Sequence, residues 1–105
     1  MPQLDRCRVA FVALLAFAAV QTSHADTASE QIVGAIEAVV FVCGPIDPRS
    51  AKVGPVLLEN TRVARKLDLP ALRQSEAYRS MYNSEANRLL SLSTKGRLAA
   101  CKSAW

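Results

Sequence analysis

Histidine is almost missing from this chain: the one copy among 105 residues is His24, and it falls in a segment that reads as removable. Arg6 and Arg8 precede an unbroken apolar run from Val9 to Val20, and Ser23-His24-Ala25 has the small-x-small form of a signal-peptidase site. A cleaved signal peptide is therefore expected over 1–25, with the mature domain over 26–105. Losing His24 removes the side chain most used for proton transfer near neutral pH and for transition-metal binding. The apolar run is about a dozen residues, short of the roughly 20 that a spanning helix needs. No permanent membrane anchor is expected.

Cysteine is scarce as well. Cys7 lies ahead of the apolar run and leaves with it, so only Cys43 and Cys101 remain in the mature chain. Their spacing is not the C-x-x-C of a redox pair, and export delivers them to an oxidising compartment, so they read as one structural disulfide. With both thiols bonded, thiolate ligation of a metal is excluded, and no metal or cofactor is expected. Ser50, Ser75, Ser80, Ser91 and Ser93 have no histidine partner and no G-x-S-x-G or S-x-x-K setting, which argues against serine-based hydrolysis. Glycines 34, 44, 54 and 96 are isolated, so no phosphate-cradling loop or dinucleotide fingerprint is present. Strand alternation, internal repeats and low-complexity tracts are absent too.

What the chain does have is helical periodicity with well-marked ends. Thr27 and Glu30 form a capping-box pattern, followed by Ile32, Ile36, Val39 and Cys43 on one face, flanked by Val33 and Val40, and a stop at Gly44-Pro45. Glu30 and Glu37 fall on the far side. Phe41 points nearly opposite Ile32, so either another segment or a partner is expected to cover it. Asp47-Pro48 starts a second helix, in which Val53, Val56, Leu57, Val63, Ala64 and Leu67 share an arc expected to face the core. Gly54-Pro55 predicts a kink or a restart, and Leu69-Pro70 a break. Ser75 caps a third helix with Tyr78, Met81, Tyr82, Leu89 and Leu92 on one side; Ser93 caps a last one aligning Leu98, Cys101 and Trp105.

These features predict an all-α fold, a small bundle of three to four helices clasped by the Cys43–Cys101 bond. Removing 25 of 105 residues leaves 80, a size at which a single core is thin and a covalent staple is commonly needed. The mature chain keeps 11 basic and 8 acidic residues, a net charge of +3 spread along the sequence. A scattered excess of this kind does not make a nucleic-acid stripe, and no nucleic-acid partner is expected.

Few residues stand out as functional candidates. Glu85 sits within the apolar stripe of the third helix, where a rim carboxylate paired with an arginine such as Arg73 or Arg62, or accepting from a Tyr hydroxyl, is the plain expectation and a pocket carboxylate the alternative. Asn60 falls within the second helix's apolar arc, read as a satisfied buried amide; if it meets Glu85, the two form a polar island between helices. Phe41, Arg73, Arg79 and Tyr82 are the types found at interface hot spots and mark a partner-binding face. The function expected is non-catalytic, a periplasmic or secreted module that binds another protein as inhibitor, shield or scaffold. An envelope stress holdase is the alternative, with a small enzyme built on Glu85 ranked third. Lys95, Arg97 and Lys102 beside Leu98 and Trp105 leave weak contact with a membrane surface open.

Overall fold

The computed structural model describes residues 27–105, and these form five helices with no strand among them. The expected signal peptide lies outside the described residues. α1 covers 27–43, α2 Pro48–Arg65, α3 Leu69–Leu72, α4 Glu76–Leu90 and α5 Thr94–Ser103. The single-turn α3 is the element beyond the three or four expected. Asp68 accepts from the Ala71 amide to start it, so a helix start follows directly on the expected break at Leu69-Pro70.

α1 is the hub. Val33, Ile36, Ala38, Val42 and Cys43 are all buried, and at 100° per residue they cover more than half of the helix, leaving the sector of Glu37 and Phe41 off the core. Gly34 lets α4 come close: a Cβ there would meet the Tyr78 carbonyl oxygen at 2.7 Å and the Met81 Cβ at 3.3 Å. Further along, Ala38, Val42 and Cys43 join Ala86 and Leu89 of α4 and Cys101 of α5 in one buried cluster. The disulfide joins Cys43 to Cys101 across 58 residues, with the Cα atoms 5.4 Å apart. A covalent bond thus runs through the centre of the core.

Local chemistry sets the ends. Asp47 is the N-cap of α2 with Pro48 in its first turn, and Ser75 and Ser93 accept from the amides of Tyr78 and Gly96 to start α4 and α5. α1 stops at Cys43, and the turn over 44–46 is closed by the Ile46 and Asp47 amides donating to the Cys43 carbonyl. The end of α4 is closed by a side chain from the next helix: the Arg97 guanidinium donates to the carbonyls of Leu89, Leu90 and Leu92. Leu89 and Leu90 belong to the last turn of α4, where carbonyls lack partners within the helix, and Leu92 lies just beyond it.

α2 departs from the sequence reading in two ways. It is one continuous helix through Pro55, with no restart. Pro55 and Ala51 are exposed, so water can satisfy the Ala51 carbonyl that a proline four residues on leaves unbonded. Its docked face is also not its apolar one. The buried residues of α2 are Ser50 and Gly54, whereas Val53, Val56, Leu57 and Val63 are exposed, Val56 at 59% and Val63 at 60%.

A hydrogen-bonded node holds the small-residue face in place. Ser50 donates to Asp47 at 2.8 Å and accepts from the Trp105 indole at 2.7 Å, while Arg49 reaches the Trp105 carbonyl. One turn on, Gly54 lies against Val40 and the Trp105 ring, with no room for a Cβ beside the valine methyl. Trp105 therefore packs on α2. At the far end Arg65 donates to Ser29, so α2 runs back along α1 in the opposite sense.

Candidate functional site

α1, α2 and α4 enclose a cavity of about 390 Å³. α1 contributes Glu37, Val40 and Phe41, α4 contributes Tyr78 and Tyr82, and Pro55 and Leu58 of α2 close the third side. Glu37 and Phe41 stand one helical turn apart, as do Tyr78 and Tyr82, so both members of each pair face the same volume. The cavity falls within the size range of small-ligand and anchor-residue pockets, whose walls are mostly apolar with a few placed polar groups.

The aromatic side is built from three rings. Phe41 and Tyr82 have centroids 6.2 Å apart with planes tilted 44°, and Tyr78 and Tyr82 are 5.9 Å apart and tilted 37°. Neither pair stacks face to face, so π surface remains for a guest. Phe41 is 62% exposed. Of the two coverings expected for it, no segment of the described chain supplies one beyond the contact with Tyr82.

One wall is polar. Arg73, from the link between α3 and α4, donates Nε–H and Nη2–H to the two carboxylate oxygens of Glu37, each at 2.9 Å. The pair is partly sheltered, with side-chain exposures of 39% for Arg73 and 18% for Glu37, and its two-pronged geometry is the strong form of such contacts. Burial, together with a hydrogen bond to Glu37 and its negative charge, pushes the Tyr78 hydroxyl up to about 12. Burial first, and then the Glu37 charge, raises Tyr82 as well. Both phenols are neutral donors and acceptors near neutral pH.

The sequence candidates are dispersed unevenly around this site. Phe41 and Tyr82 line it and Arg73 braces it, whereas Arg79 is exposed on α4 and is not among the lining residues. Asn60 is exposed, because the arc that carries it turns away from the core. Glu85 takes neither Arg73 nor Arg62 as its partner: Arg88, three residues on, binds it, and Arg62 is paired with Glu59. Asn60 and Glu85 share no hydrogen bond, and the polar island between helices does not form. Among the described residues no group of three or more His, Cys, Asp or Glu side chains could hold a metal, and no helix is long and apolar enough to cross a membrane.

Sequence reasoning missed Glu37, which it placed on the far side of α1, and used Tyr78 only as a core residue. The signal was the i, i+4 pairing of Glu37 with Phe41, an acid and a ring on the same off-core face. Comparison with protein-family models, with curated proteins and with solved structures gives no match.

Proposed function

We propose that the protein is an exported, non-catalytic binding module of the periplasm or extracellular space that recognises another protein through the groove between Phe41, Tyr78 and Tyr82. The observation that carries this reading is an open aromatic cavity set beside the disulfide-bonded core. Its α1 and α4 walls meet over a buried cluster that the Cys43–Cys101 bond passes through. A preorganised concave site loses little entropy when it takes an anchor side chain. The polar wall is arranged for binding, since Glu37 is engaged by Arg73 and Tyr78 is held protonated. The disulfide is the kind of bond that an oxidising compartment permits.

Selection from a displayed peptide library tests the proposal. Recovered peptides should lose binding to Phe41→Ala and Tyr82→Ala while keeping it for Arg79→Ala. A set of binders indifferent to both ring substitutions would remove the groove as the recognition site.

A second reading is favoured by one observation, the exposed Val53, Val56, Leu57 and Val63 of α2. Apolar surface of this sort is what an envelope holdase offers to unfolded clients. Suppression of client aggregation that survives loss of Phe41 and Tyr82 but fails when Val56 and Val63 become serine would favour the holdase.

A further inference from the structure

The cavity's walls have a chemical bias that goes beyond apolar shape. An ionised carboxylate has about four acceptor positions. Arg73 occupies two on Glu37, which leaves acceptor positions on a residue that lines the cavity. Tyr78 adds a phenol oxygen to the lining beside Glu37. Arg73 itself is not part of the lining. The ion pair therefore presents its carboxylate, and not its guanidinium, to the cavity lining. Three aromatic rings complete the surface, and ring faces carry negative charge density that attracts cations.

A guest that only donates hydrogen bonds, carries positive charge and is flat enough to lie on a ring complements this surface on every count. Lysine meets the first two conditions, but its ammonium is compact and strongly hydrated; guanidinium is planar, weakly hydrated and stacks on aromatic faces. We propose that the groove takes the guanidinium of an arginine side chain presented by the partner protein. This rests on the reading of the protein as a binding module and adds the identity of the anchor.

The test uses the oxidised, full mature chain and follows the ring resonances of Tyr78 and Tyr82 by NMR. The titrants are blocked arginine, its neutral isostere citrulline and blocked leucine. Arginine should bind about tenfold more tightly than citrulline, within the range that cation–π contacts allow. Phe41→Leu and Tyr82→Leu keep the groove apolar but remove π surface, so arginine should weaken and leucine should not.

Substitution of the ion pair gives effects of opposite sign. Glu37→Gln should weaken arginine severalfold, and Arg73→Gln, by releasing Glu37 from its internal partner, should strengthen it. Equal affinity for arginine and citrulline, preference for leucine, or no perturbation of the tyrosines by arginine would overturn the inference. Groove-dependent library peptides that lack arginine would also overturn it while leaving the module reading intact. Binders that ignore the groove would overturn that reading instead.

Discussion

α1 and α2 lie side by side and both carry abundant apolar sequence, yet they dispose of it in opposite ways. α1 buries apolar side chains over more than half of its circumference and carries half of the disulfide. α2, 18 residues long, buries only Ser50 and Gly54 and shows water four of its larger apolar side chains. The difference teaches that hydropathic periodicity does not by itself choose the docked face of a helix. Close approach at Gly54 and the Asp47–Ser50–Trp105 hydrogen-bond chain hold α2 by its small, polar side. Backbone proximity and satisfied polar groups outweighed the area that the valines could have buried.

The largest test of this contrast is to cut the covalent tie of α1. Replacing Cys43 and Cys101 with serine should lower unfolding stability by about 4 kcal/mol on the chain-entropy account of a loop this long. Denaturant midpoints of the oxidised, reduced and substituted proteins measure it, and the reduced wild type should match the double variant. Next in size, Leu89→Ala, which opens a hole beside α1, should lose about 3 kcal/mol. Val63→Ser on the outward arc of α2 should change stability by no more than about 0.5 kcal/mol. Near-equal losses at the two positions would show that the arc of α2 is covered in solution.

Gly54→Ala sharpens the comparison at the contact itself. Alanine in place of an interior helical glycine gains about 1 kcal/mol in propensity, but the added methyl has nowhere to go beside Val40. We expect a net loss of about 1–3 kcal/mol, as for other overpacked sites. Trp105, the single tryptophan, reports it directly, because its indole rests on this turn and bonds Ser50. A more stable Gly54→Ala protein with unchanged tryptophan fluorescence would mean that the helices are not in close contact there.

The smallest effect belongs to the α1–α4 side and is read by pH. Tyr78 titrates at about 12 in the folded protein against an ordinary value of about 10. Between those values the folded state keeps a proton that the unfolded chain has lost. Its contribution to stability is complete below pH of about 10 and declines as pH rises toward about 12. The chain has two tyrosines, both at the site, so tyrosinate absorbance is a clean probe: Tyr78→Phe should abolish the later of two ionisation steps. A single step at the ordinary value in wild type would mean that Tyr78 is neither buried nor bonded to Glu37.

Much of this architecture could be read ahead of the structure, because it rests on local chemistry. Asp47-Pro48, Ser75 and Ser93 start helices for reasons contained in three or four residues, and Gly44-Pro45 ends one for the same kind of reason. The Cys43–Cys101 pairing followed from counting. Residues whose roles depend on helix packing were harder. Glu37 looked solvated until Arg73 arrived from 36 positions away, and Asn60 looked buried because the arc around it is apolar. Of the site, Phe41 and Tyr82 were legible as rings of interface type, whereas Pro55, Leu58 and Val40 become a wall only once α2 lies along α1.

Arg97 has a bearing on how the bond between the cysteines is made. Its guanidinium fastens the last carbonyls of α4 to the start of α5, and Cys101 follows one turn later on the same side of that helix. The elbow thereby fixes the helix that carries Cys101 against α4, whose Ala86 and Leu89 share the buried cluster with Cys43. Lysine, a point charge on a flexible stem, cannot span three carbonyls as a planar fork does. Oxidative refolding of an Arg97→Lys chain should accordingly slow, although the substituted side chain never touches sulfur.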